Sequence, residues 1–353
     1  MAKKKLYTIT MTLPDGKRKY YRGKTKKEAE AKRDKDKALL GRGIDISDNR
    51  TFKEVAEFWF ALTKEGHVST RTKELIRGIM NKYVYPVIGE KKIREVVPAD
   101  IMLLMKTAAT TASKGWQAKI LTYTKAVFAF AVDNDLIVKT PVWSSIKPIG
   151  EPAKEVQPLT DAQCEALLRA VKGTRAYLFV ELLLYTGLRR GEALGLMWSD
   201  IDFDQARLTV NRSVVYTDAN KDGEINPDLK TMNARREVPI VPWLLEDLRT
   251  AKEASRSLYV FSMRDGSFLS RPSFLALWEL VDRRTEALGF SAHPHQLRHT
   301  CITRWVECGL DPKVAQDFAG HATANFTMNT YVHFRKEDRW QQAADLMAQV
   351  ASR

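Results

Sequence analysis

Residues 146–158 read Ile-Lys-Pro-Ile-Gly-Glu-Pro-Ala-Lys-Glu-Val-Gln-Pro, and no other stretch constrains the fold as much. Each proline removes a backbone donor, fixes φ and pushes the residue before it out of the helical region, so neither a helix nor a paired strand can run through. No apolar periodicity crosses the stretch either. The chain therefore folds as separate bodies on its two sides, which suits 353 residues at roughly 100–200 per domain.

The charge respects the same cut. Of a formal net charge of +14, residues 1–50 carry +9, residues 51–150 carry +6 and the remainder −1. A surplus that served solubility alone would be dispersed; one gathered in the first 150 residues favours an acidic partner there, most often nucleic acid. An apolar content of 44% argues against wholesale disorder. No apolar run reaches the ~18 residues of a membrane span. The start, MAKKKLYTIT, has no apolar core or cleavage site of a secretion signal. Cys164, Cys301 and Cys308 form no CxxC pair, which excludes a disulfide framework and suits a reducing cytoplasm.

Leu6–Leu13 is rich in Thr, Tyr and Ile, Pro14-Asp15-Gly16 signals a turn, and Lys17–Lys24 continues as a basic second strand. Thr25-x-x-Glu28 is a capping box that opens a charged helix to about Leu40. Such a sheet, with Lys17, Arg18, Lys19, Arg22 and Lys24, either enters a DNA groove or forms an accessory domain with a solvated face. Residues 44–50 read as a linker. Thr51-x-x-Glu54 caps a helix over 52–64, with Val55, Phe58, Trp59 and Leu62 placed on one face. Further helices are expected near 69–84, 98–110 and 115–134, giving a compact helical module.

Beyond the proline-rich stretch the pattern is mixed. Helices are expected near 161–172, 174–187, 190–197, 242–253, 272–288, 295–309, 311–319 and 337–350. Strands are expected at 206–215 and 236–241, and a hairpin turning at Asp222-Gly223 ends near Lys230. Cys301 and Cys308 read as buried helix residues.

Five of the six histidines (His293, His295, His299, His321 and His333) fall within 41 residues. Zinc is the first idea to test, but His295-Gln-Leu-Arg-His299 lacks the glutamate of HExxH, and no carboxylate set is nearby. Phosphoryl transfer is the alternative. It needs cations on the equatorial oxygens, a nucleophile in line and an acid for the leaving oxygen, and without a metal, arginines must supply the charge. His295 and Arg298 lie i,i+3 on one helix face. Arg189 and Arg190 follow Thr186-Gly187-Leu188 at a helix-to-helix turn, and Lys230 stands at a strand end. Taken singly, Arg189 reads as an i,i+3 salt-bridge partner of Glu192, Lys230 as a surface lysine and Tyr331 as an amphipathic-helix residue.

Taken together they form four boxes. These are Thr186-Gly187-Leu188-Arg189-Arg190-Gly191-Glu192 leading to Trp198-Ser199-Asp200; Lys230-Thr231-Met232-Asn233-Ala234-Arg235-Arg236-Glu237-Val238-Pro239; His295-Gln296-Leu297-Arg298-His299; and Gly320-His321 with Tyr331 ten residues after His321. In this order the chain resembles the tyrosine recombinases, in particular phage and mobile-element integrases with an added N-terminal arm-binding domain. Asn233-Ala234 stand where many relatives carry Ser or Gly.

The resemblance implies an α+β, mainly α fold in three domains. These would be a small sheet-plus-helix arm-type DNA-binding domain (1–48), a SAM-like helical core-site domain (51–147) and a mixed α/β catalytic domain with a C-terminal tail (156–353). It implies that Arg189 and Arg298 clamp the scissile phosphate and that Lys230 is the general acid. His295 would assist proton transfer, His321 would hydrogen-bond the phosphate and Tyr331 would be the nucleophile. Glu192, Asp200 and His299 become supports behind the site. Arg235 and Arg236 contact DNA or cap the strand. No cofactor, metal or ATP is needed. The implied partners are double-stranded core and arm attachment sites, a homotetramer on DNA, an excisionase and a host DNA-bending protein; the implied place is the bacterial cytoplasm, on the nucleoid. The amphipathic tail 336–353 docks on a neighbouring protomer or on its own domain. Two rival readings share the basic modules: a type IB topoisomerase-like relaxase and a regulator without catalysis.

Overall fold

The computed structural model describes residues 6–152, 156–217, 220–226 and 235–320. Contacts divide the chain into two units, up to Lys154 and from Glu155, so the break falls inside the proline-rich stretch.

The first unit begins with an antiparallel hairpin of β1 (Tyr7–Thr12) and β2 (Arg18–Gly23). Gly16, at φ +81°, makes the turn, which a 2.8 Å bond from Leu13 N to Lys17 O closes. Strand alternation then sorts the side chains. Ile9, Met11, Lys19 and Tyr21 are sheltered, and Thr8, Thr10, Thr12, Arg18, Tyr20 and Arg22 are exposed on the other face. Helix α1 (Lys26–Leu40) packs on the hairpin, capped by Thr25, and its Asp36 accepts from Tyr21 Oη at 2.9 Å and pairs with Lys19 at 2.9 Å.

The expected linker is more than a tether. Ile44 and Ile46 are buried, and backbone bonds Phe52 N to Lys91 O (2.8 Å) and Ile93 N to Arg50 O (3.0 Å) tie its end to the chain ahead of α4. Four helices follow, α2 (Phe52–Thr63), α3 (Thr70–Ile79), α4 (Pro98–Ala109) and α5 (Lys114–Asp133). The Thr51–Glu54 capping box is present in both directions. In α2 the buried residues are Phe52, Val55, Ala56, Trp59 and Phe60, whereas Phe58 and Leu62 are exposed. The core stripe is thus rotated from the expected one, because Phe52 and Phe60 both face the core and Phe52 meets Phe128 at 5.1 Å. Past α3 the helix widens into π-turns over Met80–Gly89 instead of ending near 84, and Pro86, which has no N–H, lies within them.

The second unit holds α6 (Asp161–Val171), α7 (Tyr177–Thr186), α8 (Arg190–Leu194), α9 (Pro242–Ala254), α10 (Arg271–Glu286), α11 (Pro294–Glu307) and α12 (Pro312–Ala319). One antiparallel sheet has the order β3 (Ile201–Asp202), β4 (Arg207–Val210), β7 (Arg236–Pro239). Strands β5 (Ser213–Val215) and β6 (Glu224–Asn226) form a separate pair. Helix α7 is almost wholly interior, and Phe179 on it meets Phe261 edge-on at 4.8 Å. The fold is α+β and mainly α, and no helix among the described residues is long and apolar enough to cross a membrane.

Two further expectations change. The run 206–215 is not one strand; it breaks at Asn211-Arg212, whose side chains both turn to the buried Asp200. Cys164 and Cys301 are buried, but Cys308, at the C-terminal cap of α11, is exposed. Lys230, His321, Tyr331 and the expected helix 337–350 lie outside the described residues.

Candidate active site

Helix α7 ends at Gly187, which takes the left-handed conformation (φ +62°) and closes the helix through its N–H on Leu183 O. A Cβ there would lie 3.2 Å from the Trp305 ring, so the turn needs glycine for space as well as for φ. The turn buries Leu188 and leaves Arg189 extended at the start of α8. Glu192, in the first turn of α8, reaches back to accept from Arg189 N at 2.8 Å and from Arg189 Nη1 at 2.7 Å. The ordinary i,i+3 salt bridge therefore exists, within a larger cluster.

Glu192 is only 3% exposed. Besides Arg189 it accepts from Arg236 Nη2 at 2.7 Å and Nη1 at 3.2 Å, and Arg298 Nη1 stands 4.0 Å away. Burial pushes its carboxyl upward, but the bonds and charge of Arg236, with Arg189, outweigh this and hold it below the usual carboxylate value. Three guanidinium groups share one carboxylate, so the cluster is net positive while its members stay partnered.

A second anchor is the C-terminal end of α12, where unsatisfied carbonyls carry partial negative charge. Three successive carbonyls each take an arginine. Arg236 Nε donates to Phe318 O at 2.6 Å, Arg298 Nη2 to Ala319 O at 2.5 Å and Arg189 Nη2 to Gly320 O at 2.6 Å. Arg298 also donates to Gly187 O at 2.6 Å and so bridges the α7 turn and the α12 end. Burial, then the neighbouring charge of Arg189, lowers the Arg298 guanidinium to about 9, which leaves it protonated at neutral pH. An arriving phosphate would offset the repulsion from Arg189.

Helix α11 begins at Pro294 and brings His295 to the same cluster, one turn from Arg298. His295 is exposed, while Arg298 is 2% exposed. Desolvation first, then the positive charges of Arg298 and Arg189, lower the imidazole pKa and favour its neutral, proton-accepting form.

Of the other expected residues, Asp200 is buried and accepts from Met197 N at 2.8 Å and Asn211 Nδ2 at 2.9 Å while pairing with Arg212. His299 sits one turn beyond His295, with Nδ1 3.3 Å from Thr303 Oγ1. Arg190 stacks over Phe274 at 5.2 Å. Arg235 is exposed and bonds Asn211 Oδ1 at 3.1 Å. Arg236, expected to contact DNA or cap its strand, instead turns inward onto Glu192 and the end of α12. Strand alternation could have found it, since Arg236 shares the sheltered side of β7 with the core residue Val238. In the N-terminal hairpin, Arg18 and Arg22 are exposed with Tyr20, Lys19 is held by Asp36, Lys17 pairs with Asp15 at 3.3 Å, and Lys24 gives its backbone N–H to Glu28. Among the described residues no group of three or more His, Cys, Asp or Glu side chains could hold a metal ion.

A buried carboxylate gathers arginines around the end of a helix, with a histidine of lowered pKa at the rim, and the cluster's positive charge suits an oxyanion. The sequence pattern of the Phage integrase family matches residues 156–338, and that of the Phage integrase central domain matches residues 52–145. The chain belongs to the phage integrase family, the tyrosine recombinases. The Tyrosine recombinase XerC-like of Caldanaerobacter subterraneus subsp. tengcongensis is 26% identical over 94% of this chain and 93% of its own. The Integrase of Streptomyces ambofaciens is 30% identical over 90% of this chain and 86% of its own. In structure, the Tn1549 transposon integrase bound to a circular intermediate DNA matches with a TM-score of 0.73 at 21% identity, over 84% of this chain and 99% of that one. Lambda integrase as a tetramer bound to a Holliday junction matches with a TM-score of 0.62 at 16% identity, over 92% and 94%. These likenesses place the fold among the integrases.

Proposed function

We propose that this recombinase cuts and rejoins DNA at attachment sites through a covalent 3′-phosphotyrosine on Tyr331. The observation that carries the reading is the Glu192-centred arginine cluster with His295 beside it. Arg189 and Arg298 would bind the non-bridging oxygens of the scissile phosphate, where charge grows as the phosphorus becomes five-coordinate. Tyr331 Oη would attack phosphorus, forming one P–O bond while the bond to the 5′ oxygen breaks. His295 would take the tyrosine proton, Lys230 would protonate the departing oxygen and His321 would hydrogen-bond the phosphate. A free tyrosine, with a pKa near ~10, needs such help at neutral pH. Attack by the partner strand's 5′-hydroxyl reverses the step, so the bond energy is kept and no ATP is spent.

Four protomers would bring two duplexes together, exchange one strand pair, pass through a Holliday junction and exchange the other. The exposed face of the N-terminal hairpin supports a second contact. Arg18 and Arg22 flank Tyr20, with Thr8, Thr10 and Thr12 across the ladder, and offer donors and methyl groups to an arm-site groove. An excisionase and a host DNA-bending protein fit an arm-binding integrase as partners, and the bacterial nucleoid fits as its place.

A core-site duplex nicked just beyond the crossover tests the reading, because the short fragment diffuses away and traps the intermediate. Wild type should accumulate a covalent protein–DNA adduct and Tyr331→Phe none. No adduct from wild type would favour a DNA-binding regulator. An adduct with plasmid relaxation but no recombinants would favour a relaxase.

A further inference from the structure

Arg236 bonds both groups that hold Arg189 and Arg298, the Glu192 carboxylate and the C-terminal end of α12. We propose that Arg236 is a positioning residue that holds Arg189, Arg298 and the C-terminal end of α12 in register, a role that rests on the recombinase reading above.

Glu192 is the carboxylate the three guanidinium groups share, and Arg236 takes both of its oxygens, Oε2 at 2.7 Å and Oε1 at 3.2 Å. One carboxylate cannot balance three guanidinium groups, so the cluster keeps positive charge for an anion to meet. Arg236 Nε holds Phe318 O, the first of the three carbonyls whose neighbours bind Arg298 and Arg189. One side chain therefore fixes both the carboxylate and the helix end against which the other two arginines are aligned. Arg298 keeps further N–H donors after its two carbonyl bonds, so alignment leaves it able to bind oxyanions. The chain then continues from Gly320 directly into His321, the residue expected on the phosphate. Gly320 stands at φ +64°, and a Cβ there would lie 2.9 Å from Arg236 Nη1 and 3.2 Å from its Cδ. Arg236 and Gly320 are a matched pair: the left-handed glycine makes room for the guanidinium that clamps the helix end.

The test uses the full chain with Arg236→Met, Arg236→Lys and Gly320→Ala. Single-turnover cleavage of the nicked core-site duplex and DNA affinity are measured separately. The scissile linkage is either the natural phosphate or a methylphosphonate, in which a methyl group replaces one charged oxygen. Misalignment predicts that Arg236→Met slows cleavage about 100-fold while DNA affinity changes by less than about threefold. Arg236→Lys should recover part of the rate, and Gly320→Ala should resemble Arg236→Met. On the neutral methylphosphonate the gap between wild type and Arg236→Met should shrink at least tenfold, because the aligned charges are no longer needed. Wild-type rates in Arg236→Met overturn the proposal. So does a defect equal on both linkages that tracks only the unfolded fraction seen by circular dichroism. A wild type that forms no adduct at all sinks the recombinase reading instead.

Discussion

The hairpin of the first unit and the Glu192 cluster of the second both present arginines, in opposite ways. Arg18 and Arg22 stand exposed on one strand, with threonines across the ladder and water around them. Arg236 and Arg298 are buried and Arg189 half-buried, and all three are bonded to a carboxylate or to helix carbonyls. Exposed cations attract a polyanion over a distance set by salt and exchange partners easily. Buried cations cannot collect DNA, but they hold their donors still, and stillness is what a transition state rewards. Under the proposed function, the surplus charge of the first 150 residues would serve the first task and the near-neutral remainder the second, with a few placed groups.

The largest expected consequence of that difference lies in Glu192. Replacing it by Gln removes the anion among three guanidinium groups and should cost about 3–5 kcal/mol in urea unfolding, because the buried charges lose their partner. A cost below about 1 kcal/mol, typical of exposed pairs, would erase the distinction between the two regions.

The next effect concerns a buried acid away from the cluster. Glu181 on α7 is 2% exposed, one of its oxygens has no hydrogen-bond partner, and burial followed by Asp247 beside it raises its pKa to about 7. A carboxyl raised in the folded state costs nothing below its unfolded pKa; the cost grows as pH climbs between the unfolded and folded values and is complete above the folded one. Glu181→Gln should therefore stabilise the protein by on the order of 2 kcal/mol at pH 8 and by little near pH 4.5, read from unfolding midpoints. Equal effects at both pH values would contradict this.

The smallest effect is in the pH profile. Because the pKa of His295 lies below its usual value of 6.5, more than half of it stays neutral at pH 6.5. If His295 accepts the tyrosine proton, cleavage should fall less than about twofold between pH 7.5 and 6.5 and more steeply below, and His295→Ala should remove that acid limb. A half-point at or above pH 7 would place the acceptor elsewhere.

Much of this was legible in the chain. Prolines 148, 152 and 158 marked the break between units, and Thr25 and Thr51 opened their helices through side-chain caps. Arg189 and the His295–Arg298 pair, 106 residues apart along the chain, meet in one cluster. What escaped depended on rotation and burial. Phe58 and Leu62 fit an apolar stripe as well as Phe52 and Phe60 do, and only the tertiary packing of the helical module selects between them. Arg236 looked like a surface cation because arginine is seldom fully buried, and strand alternation was needed to show which member of the doublet turns inward. Its strand neighbour Val238 and the register with Val210 decide it. The three carbonyls at the end of α12 could not be seen in the sequence at all, since backbone groups carry no residue code.

The most direct test separates holding from cutting. On the nicked substrate carrying one arm site, DNA affinity and the saturated cleavage rate are measured for Arg298→Ala and for the Arg18→Ala, Arg22→Ala double variant. The account predicts a crossed result. Arg298→Ala should lose about 1000-fold in saturated rate with affinity nearly intact, whereas the double variant should bind more weakly, with a salt slope shallower by about 2, and cleave normally once saturated. If both variants move the same quantity, the division between surface and buried arginines is wrong.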